Sequence, residues 1–227
     1  GQARGRKARR YASIGRSGSS IESMKGAWIP YATIIICAAT LVYSMYVAFD
    51  VTGTVLGTVK IPLLEPYGGI ELAHLARLEL WRLFASQLVH AKQLHMLFNV
   101  LSLALLGVFV ERHARGPGFF LLWFLSGSAG TVLGTLSTAP PWHLGTGGSQ
   151  AVSGIAAFGL VLHLKGVVPS KWFAAILCFT IIPAFTLDVI HAGHPKPGHV
   201  VGFLVGAVAG LASCRHGRPG TLWNGRT

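Results

Sequence analysis

From Ala27 to Phe49 the chain reads AWIPYATIIICAATLVYSMYVAF with no charged side chain, about the 20 residues a helix needs to cross a hydrocarbon layer roughly 30 Å thick. Similar apolar runs recur at 92–112, 118–136, 171–190 and 198–214, and a shorter one covers 153–167. Asp50 to Ala91 is different. It is mixed in character, holds Pro62, Pro66, Gly68 and Gly69, and closes on the amphipathic stretch IELAHLARLELWRLFASQLVH, the pattern of a segment lying in the interface rather than crossing it. The pattern predicts an all-α polytopic membrane protein: six transmembrane helices, an interfacial first loop and a short fourth helix. Residues 1–26 read as a basic cytoplasmic tail and 215–227 as a short basic C-terminal tail.

The fourth run carries a further implication. Its apolar part, from Ser153 to Lys165, spans roughly 18 Å at 1.5 Å per residue, short of a core about 30 Å thick. The Gly-rich piece before it, STAPPWHLGTGGSQAV, then lies below the membrane surface. Irregular backbone at that depth is tolerated only where protein buries it or it lines a wet cavity. The sequence therefore predicts a pocket with Ser153 at its floor.

Composition narrows the class. Hydrophobic residues make up 52% of the 227 and charged ones 11%, less than half of the roughly 25% usual in soluble domains. The 19 Lys+Arg against 7 Asp+Glu give a net charge of +12, which raises the question of nucleic acid. Position answers it: Arg4, Arg6, Lys7, Arg9, Arg10, Arg16 and Lys25 precede the first span, and most other basic residues sit between spans. With six helices and an inner N-terminus, only Lys60, Arg77, Arg82, Lys92 and Lys196 fall outside. That asymmetry predicts both termini on the cytoplasmic side and the pocket on the opposite face. It fits a bacterial inner membrane; a mitochondrial inner membrane fits if the acid-poor N-terminus is a transit segment. Cys37, Cys178 and Cys214 are widely separated and form neither a disulfide framework nor a zinc motif. HAKQLH lacks the arrangement of a zinc protease helix, so no metal and no cofactor are implied.

Polar side chains within membrane helices are costly and mark candidate sites. His95 and Asn99, four apart, share a face of the second helix, with His90 just before it. Ser153 and Gly154 open the fourth run. His199 leads the last helix, followed by a stripe of Gly202, Gly206 and Gly210 that marks a close-packing face. Ala156 and Ala157 let another backbone approach the fourth helix, and contact between these two helices is expected to bring Ser153 to His199. A serine hydroxyl needs a positioned base to attack a carbonyl, and an imidazole supplies it. His95, Asn99 and the Ser153 amide are the candidate donors to a developing oxyanion. Taken one at a time, each residue has a plainer reading as packing or interhelical hydrogen bonding; the combination carries the hypothesis.

These residues resemble the rhomboid intramembrane serine proteases, through the region 27–214. WRLFASQLVHAKQLHMLFN looks like the family's Trp-Arg pair followed by H-x4-H-x3-N, at Trp81, Arg82, His90, His95 and Asn99. Glu111 with Arg112 is similar to the charged end of its second helix. VSGIAAFG carries the Ser-Gly of G-x-S-G at Ser153 and Gly154, and HVVGFLVG resembles H-x-x-G-x-x-x-G at His199, Gly202 and Gly206. Asp188 resembles an acid found near that place in some members. The resemblance implies a six-helix bundle that hydrolyses peptide bonds of membrane-spanning proteins by a Ser-His dyad. Ser153 is then the nucleophile and His199 the base. His95 and Asn99 stabilise the oxyanion, and His90, Trp81, Arg82, Glu111, Gly154, Gly202 and Gly206 give structural support. Substrates of the family enter from the lipid side near the fifth helix. Two positions depart from the pattern: Ala151 stands where a glycine precedes the serine by two, and Ala157 where an aromatic follows it by four.

Two rival readings belong to other classes. One is a non-catalytic protein of the same fold that binds and escorts transmembrane helices; loss of the serine or histidine would be its sign, and both are present. The other is a proton-linked transporter using His95, His199 and Asp188, for which internal repeats are expected. None is visible in the six spans.

Overall fold

The structure, a computed structural model, describes residues 28–138 and 143–216. The tail read at 1–26 and most of that read at 215–227 lie outside the described residues. Among the described residues, five helices are long and apolar enough to cross a membrane: α1 (Tyr31–Thr52), α4 (Gln93–Ala114), α5 (Gly116–Leu136), α7 (Lys171–Ala192) and α8 (Pro197–His216). A sixth, α6 (Ser149–Leu164), is shorter. Between α1 and α4 the chain makes a 3-10 turn (Ile61–Leu64) and the short helices α2 (Leu72–Ala76) and α3 (Arg82–Leu88), too short to span. Among the described residues there is no strand, only an isolated bridge between Ile70 and Gly145.

The spanning helices turn most of their small and polar residues inward, beside a few large ones such as Met96, Phe119, Trp123 and Phe173, and leave many large apolar residues outward. On α1 the buried stripe is Ala32, Thr33, Ile36, Cys37, Thr40, Ser44, Val47 and Ala48, while Ile34, Ile35, Val42, Tyr46 and Phe49 are exposed. Lipid is as apolar as leucine, so helices associate through close packing and interhelical hydrogen bonds rather than by hiding large side chains. The α1 helix ends where Gly53 takes a left-handed φ of 75° and donates its N–H to Phe49 O, a conformation that favours glycine.

At the centre stands α6, with Ala151 to Gly159 buried throughout. It lies against α8 with backbones in contact. A methyl group added at Gly202 would sit 2.2 Å from Gln150 O, one at Gly206 1.8 Å from Gly154 O, and one at Gly210 3.2 Å from Phe158 O. The partners advance together by four residues, so the two helices run parallel and start at the same end of the molecule. The glycine stripe read from the sequence is this interface.

Two charged side chains hold the frame. Glu111, fully buried on α4, accepts hydrogen bonds from the Ala32 and Thr33 N–H groups at 3.0 and 2.8 Å and from Thr33 Oγ1 at 2.7 Å. It thus satisfies two of the amides that the start of α1 leaves unpaired and places negative charge at that helix's positive end. In the first loop, Arg82 donates to Gly69 O at 2.9 Å, to Glu65 O and to Glu79, and its guanidinium lies 4.7 Å from the Trp81 ring centroid. The hydrogen bonds from Arg77 and Arg82 hold Glu79 down to about 2.

Candidate active site

The starts of α4, α6 and α8 and the end of α7 meet at one end of the bundle. The α6 helix begins at Ser149, four residues before the start expected at 153, and its sixteen residues reach about 24 Å. That is still short of the hydrocarbon thickness, so the segment leading into it must be satisfied by protein. Ile70 and Gly145 exchange backbone hydrogen bonds at 3.0 and 2.7 Å, Gly147 N–H donates to Ser86 O at 2.7 Å, and Gly148 N–H donates to His90 Nε2 at 3.2 Å. Gly147 has a φ of 94°, which a side chain would strain.

The structure does not bring Ser153 to His199. Ser153 Oγ donates to Ser149 O at 2.9 Å, a bond to the preceding turn of its own helix. The hydroxyl that meets the imidazole is Ser149 Oγ, 2.8 Å from His199 Nε2. The parallel register explains the correction. Gln150 faces Gly202, so Ser153 lies level with residue 205, about 9 Å along the axis below His199. Ser149 was missed because its neighbours Gln150 and Gly148 are polar or flexible, and the apolar run starts only after them. A signal was present: Gly147-Gly148-Ser149 places a glycine two before the serine, which Ser153 lacks. In this register the departures move. Gln150 stands where the motif has glycine, and Ser153 stands four after the serine, in place of Ala157.

Around this pair the groups are ordered by hydrogen bonds. Asp188 on α7, 2% exposed, lies 2.6 Å from His199 Nδ1 through Oδ2. The same oxygen accepts Lys196 N–H at 3.0 Å, and Lys196 Nζ is 3.7 Å from Oδ1. A carboxylate only accepts, so Nδ1 carries the imidazole proton. Nε2 is then bare in the neutral ring, and Ser149 donates its hydroxyl to it.

His90 orders the opposite wall. Its Nε2 accepts from Gly148 N–H, with Asn99 Nδ2 also at 3.2 Å, and its Nδ1 is 3.0 Å from Ser44 Oγ and 3.2 Å from Leu88 O. Burial, then the nearby His95, pushes His90 down to about 3, so the ring is neutral with its proton on Nδ1. Asn99 and the residue before Ser149 are thereby tied to one imidazole. His95, exposed, has its ring 6.0 Å from His90. The first intrahelical bond of α6 is Val152 N–H to Gly148 O, so the Ser149, Gln150 and Ala151 amides have no partner along their own helix. A small cavity of about 10 Å³, room for one water, is lined by Thr40, Gln87, His90, Asn99, Trp123 and Gly148 among others.

The remaining expected residues make no hydrogen bond to Ser149 or His199. Trp81, Arg82 and Glu111 hold the loop and α1, while Gly154, Gly202 and Gly206 pack helices. Glu65, Glu71 and His74 bring ligand-type atoms within 4.8 Å of one another. These atoms are committed within the loop: His74 Nδ1 accepts Glu71 N–H at 3.0 Å and Nε2 faces Glu65 Oε1 at 3.1 Å. A bare Nδ1 leaves the proton on Nε2, where a metal would need the lone pair.

Comparison with known proteins adds the following. A family model described as the Rhomboid domain matches residues 77–216. RHOMBOID-like protein 1 of Arabidopsis thaliana is 30% identical over 156 residues, covering 65% of this chain and 38% of that one. The Bacillus subtilis protein named "Putative rhomboid protease YdcA" is 33% identical over 134 residues, 56% of this chain and 66% of its own. Rhomboid-like protease 3 of Toxoplasma gondii is 24% identical over 196 residues, 79% and 65%. The match thus spans well under half of the plant relative.

Proposed function

The chain belongs to the rhomboid family, and from that premise we propose that it is an intramembrane serine endopeptidase with Ser149 as nucleophile and His199 as general base. The observation that carries the reading is the 2.8 Å approach of Ser149 Oγ to His199 Nε2 at the start of a helix too short to reach the membrane surface. His199 takes the Ser149 proton as Oγ attacks the scissile carbonyl, then returns it to the leaving amine. Water repeats the attack on the acyl-enzyme with His199 again as base. The oxyanion receives the Ser149 amide, unpaired along its helix and at the positive end of α6, with His95 and Asn99 as side-chain donors. His90 acts as a positioning residue for Gly148 and Asn99. The substrates are membrane-spanning proteins cut near the face opposite the cytoplasmic termini, and the chemistry needs no cofactor.

The escort reading draws on Gln150, whose side chain occupies the place of the motif's glycine beside Ser149. One experiment separates the two. Purified protein in liposomes is given a panel of labelled single-pass helices, and cut sites are read by mass spectrometry. Cutting by wild type and Ser153→Ala, with none by Ser149→Ala, is expected. Cleavage retained by Ser149→Ala overturns the assignment, while binding without cleavage by any folded form favours escort.

A further inference from the structure

Asp188 interrupts a helix that is otherwise the least buried of the spans, with 22% of its most apolar stretch buried. Ionisable groups in such helices are expensive and need partners. This one has three: the His199 ring at 2.6 Å, the Lys196 amide at 3.0 Å and the Lys196 ammonium at 3.7 Å. Ser149, His199 and Asp188 are thus in series, hydroxyl to Nε2 and Nδ1 to carboxylate, where the family resemblance implied a dyad. We propose that Asp188 is a positioning residue for the hydrolytic step, which locks the His199 proton on Nδ1 and steadies the imidazolium formed when Nε2 takes the Ser149 proton. The inference rests on the reading of Ser149 and His199 as the reacting pair.

The reasoning is one of proton bookkeeping. A neutral imidazole without a partner on Nδ1 exchanges between two tautomers, and the one protonated on Nε2 has no lone pair for Ser149. An ionised carboxylate at Nδ1 excludes that tautomer. As the Ser149 proton moves to Nε2, Asp188 keeps its charge and faces the new cation; the Nδ1 proton stays on the ring. Among the described residues, His199 is faced by the neutral Ser149 hydroxyl on α6 and by the titratable groups of His95 on α4, Asp188 on α7 and Lys196 in the α7–α8 connection. The Lys196 amide bonds the same Oδ2 that faces the ring, and the Lys196 ammonium lies 3.7 Å from the other oxygen, Oδ1. A purely mechanical strap between α7 and α8 makes a different demand, since an amide in place of the acid still spans the gap.

Asp188→Asn decides between the two roles, because it keeps the shape and removes the charge. In liposome cleavage, kcat is expected to fall about 10²–10⁴-fold with KM within about threefold of wild type, and the unfolding temperature is expected to be unchanged. A kcat within about threefold of wild type overturns the proposal, as does a loss of kcat that tracks a loss of folded protein. A second readout does not need turnover. In ¹⁵N-histidine NMR of uncleaved protein, the His199 signals, assigned by their loss in His199→Gln, are expected to show Nδ1 protonated and Nε2 bare in wild type and a mixture of tautomers in Asp188→Asn. A wild-type ring protonated on Nε2 refutes the lock. If wild type cuts nothing, or Ser149→Ala still cuts, the protease reading fails, and the tautomer measurement still judges Asp188.

Discussion

Replacing Gly206 by alanine tests whether the α6–α8 contact sets the reacting geometry. The added methyl carbon would lie 1.8 Å from Gly154 O and 2.5 Å from Gly154 C, both backbone atoms that cannot rotate away. Restoring an ordinary contact of about 3.4 Å requires the helices to part by about 1.5 Å at this level. Gly206 is seven residues from His199, about 10 Å along α8, and a stiff helix carries much of that shift to its end. The 2.8 Å Ser149–His199 hydrogen bond would then open beyond 3.5 Å, where it no longer counts as one. A misplacement near 1 Å costs on the order of 10²-fold in rate, and overpacking about 1–3 kcal/mol in stability. Gly118→Ala is the control, since its methyl meets nothing within 4 Å. The assay is liposome cleavage beside thermal unfolding of each variant in the Ser149→Ala background. Gly206→Ala with wild-type kcat and wild-type unfolding temperature would refute the reasoning.

Other consequences concern stability. Glu111→Gln leaves a single oxygen acceptor for three donors at the start of α1, and should cost about 1–3 kcal/mol, read as a lower unfolding temperature with little change in kcat of the folded fraction. His90 is buried neutral with its folded value at about 3, below the roughly 6.5 of an unfolded histidine. Below 6.5 the unfolded state therefore binds more protons, so the contribution of His90 is full above that pH and is lost as pH falls from about 6.5 toward 3. Unfolding temperatures of Ser149→Ala protein across that range should fall, and adding His90→Gln should flatten the slope.

The spans were legible because a helix that faces lipid must lack charge over its length, and the α6–α8 contact because glycines at 202, 206 and 210 repeat at helical spacing. His90, His95 and Asn99 were legible as a cluster on or beside one helix face. The serine was not. Ser149 and Ser153 are one turn apart on one face of α6, and hydrophobicity marks where the helix enters the apolar layer, not where its first turn begins. That first turn is polar: Ser149 and Gln150 open it, with the Ser149 hydroxyl against His199. Only the register between α6 and α8 decides which hydroxyl stands level with His199. Asp188 was legible as an acid near His199 by the family resemblance, but not its hydrogen bond to the ring: eleven residues and a change of helix separate the two, so no local period joins them.

The most direct test of the central claim is labelling with a fluorophosphonate, which forms a covalent bond to an activated serine, followed by peptide mass spectrometry of the folded protein in liposomes. The account predicts a single adduct, on Ser149, that disappears in His199→Ala and persists in Ser153→Ala. An adduct on Ser153, or labelling of Ser149 that does not depend on His199, would contradict it.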